Sequence, residues 1–327
     1  MQPFSFSQAR NQDDALVQLR ESGSLAIAGG TTLVDLMKLD VQSPAHLVDI
    51  NALPLNRIEI LPDGGLRIGA TVRNSDLAHD ETVKTRYPVL SQALLSGASA
   101  QLRNMATTGG NLMQRTRCYY FRDPAYAACN KRKPGSGCAA LEGFNRIHVV
   151  LGGSDHCVAT HPSDMAVALV ALDAVVHITG PHGERRVQIE EFHKLPGATP
   201  HIETAVQIGE LITHVTLPKS DFAQRSAYVK LRDRASYEFA LASAAVAINL
   251  SGTTIRGARV ALGGIATKPW RSHEAEQVLT GASANADTFR TAAEAALKSA
   301  KPLRYNAFKI KLAKMALVRA LTQAIEA

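Results

Sequence analysis

Four cysteines lie between positions 118 and 157: Cys118, Cys129, Cys138 and Cys157. Their spacings, C-x10-C, C-x8-C and C-x18-C, contain no C-x2-C pair of the kind that marks zinc ribbons and bacterial ferredoxins. Three chemistries stay open: disulfides, a structural zinc with His156 or His161 as a further ligand, or an iron–sulfur cluster held by four thiolates. The surrounding charge weighs on the choice. Arg115, Arg117, Arg122, Lys131, Arg132, Lys133 and Arg146 share this segment with only Asp123 and Glu142. A thiolate-ligated cluster is an anion that nearby cations stabilise, whereas disulfides need none.

Two glycine-rich segments are the other residues suited to chemistry. In Ala28-Gly29-Gly30-Thr31-Thr32-Leu33 the glycines admit close approach of a ligand, and N–H groups at a helix start and threonine hydroxyls can face an anion such as a diphosphate. A tight turn without a ligand has the same composition. Thr107-Thr108-Gly109-Gly110-Asn111 repeats the pattern, and two such loops could cradle two parts of one large anionic cofactor. There is no GxGxxG, no GxxxxGK(S/T) and no GxSxG, so a Rossmann dinucleotide site, a P-loop and an acyl-transfer elbow are unsupported. Electron transfer is the chemistry to look for.

The elements that must position these residues are legible in part. A helix is predicted over 13–20, a buried strand over 25–28 running into the first glycine pair, and a helix over 33–37. Strands are predicted at 46–50, 58–60 and 66–70, the last two joined by Pro62-Asp63-Gly64-Gly65, and a helix at 89–98. From Gln114 to about Thr160 periodicity fades; a loop this long in a compact domain is functional or disordered, and its cysteines argue against disorder. Ser163 then caps a helix over 165–172, a hairpin spans 174–189, and a strand over 210–217 stops at Pro218. Beyond residue 222, strands at 227–231, 242–250 and 259–262 precede helices at 284–300 and 306–326, the last expected to pack through Phe308, Leu312, Met315 and Val318.

With 327 residues, 46% of them apolar, two domains are the natural division. No apolar run reaches the ~18 residues of a membrane span, and the expectation is a soluble chain without its own export signal. The net charge of +7 is not laid out as a basic stripe with interleaved aromatics, which speaks against nucleic acid as a partner. A zinc-stapled basic loop contacting nucleic acid is the competing reading.

Together, Ala28 to Leu33, Thr107 to Leu112, Ser163-Asp164-Met165 and Lys230-Leu231-Arg232-Asp233-Arg234-Ala235 resemble, in order, the signature of the FAD subunits of the xanthine dehydrogenase and carbon monoxide dehydrogenase family. The resemblance runs the length of the chain. It departs from most members in placing some fifty residues and all four cysteines between the second glycine motif and the Ser-Asp motif, as in the subgroup whose FAD subunit holds an additional [4Fe-4S] cluster. Within that subgroup, Gln114 to Cys118, Cys129 to Arg132 and Pro134 to Phe144 look more like the periplasmic aldehyde oxidoreductase than 4-hydroxybenzoyl-CoA reductase.

The resemblance implies an α+β fold: a two-subdomain FAD-binding domain over 1–220, with a tetracysteine insertion at about 113–160, and a smaller α/β domain over 222–327. It implies that Ala26, Ile27, Ala28, Gly29, Gly30, Thr31, Thr32, Leu33, Thr107, Thr108, Gly109, Gly110 and Asn111 hold FAD. It further implies that Asp164 bonds a cofactor hydroxyl, that Lys230 and Ile212 lie at the flavin, and that Cys118, Cys129, Cys138 and Cys157 bind the cluster. Partners would be a molybdopterin large subunit and a [2Fe-2S] small subunit in a heterotrimer, with FAD passing electrons to an external acceptor. Export to the periplasm would depend on a signal-bearing partner, and residence would otherwise be cytoplasmic. Stand-alone NADPH-dependent flavin reductases share the first glycine loop but lack the tetracysteine insertion.

Overall fold

Asn11 opens the first helix by accepting the Asp14 N–H, and the helix then buries Ala15, Leu16 and Leu19. That helix, α1 (Gln12–Leu19), lies between β1 (Ser5–Gln8) and β2 (Ser24–Ile27); α2 (Leu33–Lys38) and β3 (His46–Asp49) complete a small unit. Its sheet is parallel in the order β1-β3-β2. The computed structural model describes residues 1–220 and 222–326, so the expected domain boundary at residue 221 and the terminal Ala327 lie outside the described residues.

The second unit holds β4 (Ile58–Ile60), β5 (Leu66–Gly69), α3 (Asn74–His79), α4 (Glu81–Arg86), α5 (Pro88–Ser96), α6 (Ala100–Met105) and α7 (Thr108–Leu112). After the cysteine segment, which carries only the short α8 (Tyr119–Arg122), come α9 (Asp164–Ala171), β6 (Val175–Gly180), β7 (Gly183–Gln188), α10 (Ile189–Phe192) and β8 (Leu211–Leu217). The sheet is antiparallel in the order β4-β5-β8-β6-β7. Ser163 caps α9 as expected, accepting the Ala166 N–H at 2.9 Å, and every residue of α9 is buried. A helix that is apolar from its second residue onward needs cover on all sides. It lies in one core with α5 and strands β5, β6 and β8, and its other side meets the third unit.

That third unit comprises β9 (Ser226–Leu231), β10 (Ala242–Ser251), β11 (Thr254–Gly263), β12 (Trp270–Arg271), α11 (His273–Leu279), α12 (Ala286–Ala296) and α13 (Phe308–Glu326). Its antiparallel sheet runs β12-β11-β10-β9. The packing face of α13 corrects part of the expectation: Leu312 and Val318 pack, partly buried, against the core as expected. Phe308 and Met315 are exposed, and the buried stripe is Ala313, Ala316, Leu317, Ala320, Leu321 and Ala324. Alanines bring the helix axis close to β10 and β9, a contact that a search for large apolar side chains overlooks.

Candidate cofactor site and thiol nest

The first glycine loop joins β2 to α2. Gly30 has a φ of +67°, in the left-handed region that favours glycine, and a side chain on Gly29 would overlap the Met105 carbonyl. Among the described residues, the N–H groups of Gly29 to Leu33 donate to no protein acceptor. They border a cavity of about 760 Å³, a size that suits a dinucleotide cofactor. Ala26 to Leu33, Thr107, Gly109, Gly110 and Ile212 all line it. Free amides, a backbone cradle and an apolar strand residue make a donor set that fits FAD.

Four of the expected residues are placed elsewhere. Thr108 is fully buried and donates its hydroxyl to Val72 O at 3.2 Å. Asn111 uses its Oδ1 to accept from Ser163 Oγ and Gln114 Nε2, both at 2.6 Å, which ties the second loop to the start of α9. Asp164 and Lys230 meet each other instead: Lys230 Nζ stands 2.8 Å from Asp164 Oδ2 and 3.0 Å from Ser96 O. Tyr228 donates to Asp164 Oδ1 at 2.6 Å, and burial beside that carboxylate drives the phenol well above its ordinary value. Neither Asp164 nor Lys230 lines the cavity.

The structure adds cavity residues that sequence reasoning did not assign to the cofactor site. Arg115 and Lys131, both from the cysteine segment, pair with Glu203 at 2.5 and 3.0 Å on the cavity wall. Burial alone would raise the Glu203 carboxyl, but the two cations hold it below its ordinary value. His161 and His193 pack edge to face at 4.3 Å and also line the cavity. His161 Nδ1 accepts the Ser163 N–H, and His193 Nε2 donates to Leu112 O, so each ring keeps one buried nitrogen free. No sequence pattern marks these residues, because Glu203 and Arg115 are 88 positions apart.

The four cysteines converge. Cys118 precedes α8, Cys129 and Cys138 face each other across an isolated β-bridge, and Cys157 sits in a tight turn with Ser154. All four belong to one apolar cluster with Leu36, Phe121, Val149 and Val158. All four are free thiols, so the disulfide reading does not describe this structure. Among the described residues, no three His, Cys, Asp or Glu side chains stand in position to hold a single metal ion. His161, one of the two candidate zinc ligands, lines the cavity.

Burial pushes the Cys118 thiol up to about 12 and Cys157 up to about 11, while the amides of Phe121 and Tyr120 beside the first, and Lys131 and the Ala159 amide beside the second, pull the other way. Left to themselves these sulfurs stay protonated; a metal centre bound among them would have to displace the protons. Four thiols in one cluster, with backbone amides aimed at Cys118 and Cys157, are the kind of donor set that an iron–sulfur cluster would use. Lys131 acts on Cys157 in the sense expected, and other cations of the segment also serve as anchors. Arg117 and Arg122 both bind Asp35 on α2, at 3.1 and 2.8 Å; Arg132 donates to the carbonyls of Tyr120, Phe121 and Asp123; Arg146 pairs with Asp233. They pin the insertion to the body, and Leu36, next to Asp35, packs among the thiols.

A family described as the FAD binding domain in molybdopterin dehydrogenase matches residues 2–220, and the CO dehydrogenase flavoprotein C-terminal domain matches residues 226–324. The chain belongs to this family of FAD-binding subunits. Among its relatives, the aldehyde oxidoreductase FAD-binding subunit PaoB of Escherichia coli is 52% identical over 99% of both chains. The glyceraldehyde dehydrogenase medium chain of Sulfolobus acidocaldarius is 30% identical over 87% of this chain and 83% of its own. In structure, this FAD-binding subunit superposes on a chain of carbon monoxide dehydrogenase from Hydrogenophaga pseudoflava with a TM-score of 0.77 at 26% identity, over 100% of this chain and 99% of that one.

Proposed function

We propose that this FAD-binding subunit is the FAD and [4Fe-4S] electron-transfer subunit of a molybdenum-dependent aldehyde oxidoreductase. Its partners in this reading are a molybdopterin large subunit and a [2Fe-2S] small subunit, assembled as a heterotrimer, and electrons leave toward an external acceptor. The observation that carries the proposal is the convergence of four free thiols directly behind α2, whose preceding loop walls the flavin cavity. Identity of 52% to the FAD-binding subunit of an aldehyde oxidoreductase supports the substrate class.

When bound, FAD exchanges electrons in ones or twos and the cluster in ones, so the pair supplies a relay. The chain's own residues give that relay its setting. The Gly29 to Leu33 amides would hold the diphosphate, Thr107, Gly109, Gly110 and Ile212 would shape the cavity, and the Asp35 and Glu203 ion pairs fix the thiols' segment against both. Phe121 and Val149 keep water from the sulfurs.

Anaerobic purification followed by metal and labile-sulfide analysis tests the reading: about four iron and four sulfide per chain is expected, and a single zinc overturns it. Aldehyde should bleach the flavin only in the assembled complex; rapid bleaching of the isolated chain by NADPH would instead mark a stand-alone flavin reductase. We further propose export to the periplasm with a signal-bearing partner, which fractionation of cells with and without that partner's signal would decide.

A further inference from the structure

His148 is buried inside the insertion, with Nε2 3.1 Å from Cys118 Sγ and Nδ1 buried without a partner. The unpartnered nitrogen identifies the tautomer. An orphaned buried N–H is rarer than an orphaned lone pair, so the proton belongs on Nε2, facing sulfur. Among the described residues, Cys118 is the only one of the four thiols with a side-chain hydrogen-bond partner.

The backbone that carries the ring is also held on several sides. The His148 N–H donates to Asn145 O at 3.1 Å. Its carbonyl accepts from Lys309 Nζ at 2.9 Å and from Asn306 Nδ2 at 3.1 Å. Both donors are fully buried residues at the start of α13, and they also grip the carbonyls of Ile147 and Val149. Two polar side chains from the C-terminal unit thus converge on three successive residues of the insertion, with His148 at their centre. Supporting bonds of this kind orient the residues around a metal site.

We infer that His148 donates its Nε2–H to the Cys118 sulfur and so raises the reduction potential of the centre that this sulfur ligates. The inference rests on reading the thiol nest as a cluster site. A ligating thiolate carries no proton and can only accept, so the imidazole must be the donor. An N–H bond to a ligand sulfur withdraws electron density and favours the reduced, more negative state of the cluster. His148 acts through Cys118 and is a positioning residue.

The test is an EPR-monitored redox titration of the assembled complex, with iron and flavin assayed on the same samples. His148→Leu removes the donor, and His148→Gln keeps an N–H at similar reach. The expected result is full iron and flavin in both variants, a more negative cluster potential in His148→Leu, and a potential nearer the wild type in His148→Gln. A His148→Leu complex with full iron and an unchanged potential overturns the inference. If His148→Leu loses iron, His148→Gln decides: full iron with a near-wild-type potential upholds the donor role, and loss of iron or a potential as for no donor shows that the ring only fills space. Absence of iron from the wild type would instead defeat the cluster reading itself, before any variant is compared.

Discussion

Lys230 and Asp164 form an ion pair that water barely reaches, with side-chain exposures of 3% and 8%. Removing one member leaves a bare charge in the interior, so Lys230→Met should lower folding stability by about 3–5 kcal/mol. Pairing it with Asp164→Leu should recover part of that loss. Denaturant unfolding of both single variants and the double measures this, and a double loss equal to the sum of the two single losses would mean that the charges are not coupled. Gly29 sits at the opposite extreme, where any side chain is too much. Gly29→Ala drives a methyl into the Met105 carbonyl beside the cofactor loop, at about 1–3 kcal/mol of strain. If that strain falls on the bound form, FAD affinity drops by about tenfold or more, read by flavin fluorescence titration. An unchanged affinity would separate this loop from the cofactor.

At the scale of elements, α2 is the joint between the cofactor loop and the thiols, because Asp35 accepts from Arg117 and Arg122. The pair is partly exposed, so Asp35→Ala should cost only about 1–2 kcal/mol of global stability. Its larger effect should be local, with flavin and iron retention falling together on gel filtration; loss of neither would show that the joint carries no strain. Sequence reading found α1, α2, α5, α9, the β6–β7 hairpin and the long strands, because each is long enough to show a period or is bounded by clear caps and turns. It missed α3, α4, α6 and α7, which have five or six residues each and take their order from neighbours instead of from a repeat. Within the site, glycine and threonine composition marked the cavity wall and cysteine content marked the nest. Asp35, Glu203 and His193 were invisible, and His161 was assigned to the cysteines instead of the cavity, because nothing local distinguishes an acid or imidazole whose partners come from distant segments. The basic excess around the cysteines was seen, but its use as a set of anchors needed the positions of the acids.

For the molecule as a whole, acid is the predicted weakness. Burial drives the His193 imidazole down from 6.5 to about 4, and His161 moves the same way, through burial and then through His193 and Lys131 beside it. An unfolded imidazole takes a proton near 6.5, so between those values the unfolded chain binds more protons than the folded one. The stability from His193 is complete above about pH 6.5 and is lost as pH falls toward about 4, roughly 3 kcal/mol in all. Unfolding of the flavin-free chain from neutral pH down to about pH 5 should show the decline, and a flat profile would contradict it. The Lys309 grip on the insertion has a consequence in time. Lys309 follows His148 by 161 residues, so at ordinary elongation rates the ribosome delivers it about 8–30 s later. Throughout that interval the carbonyls of Ile147 and His148 lack their shared ammonium donor. Nascent chains stalled ahead of α13 should therefore leave the cysteines more open to alkylating reagents than they are in the finished chain.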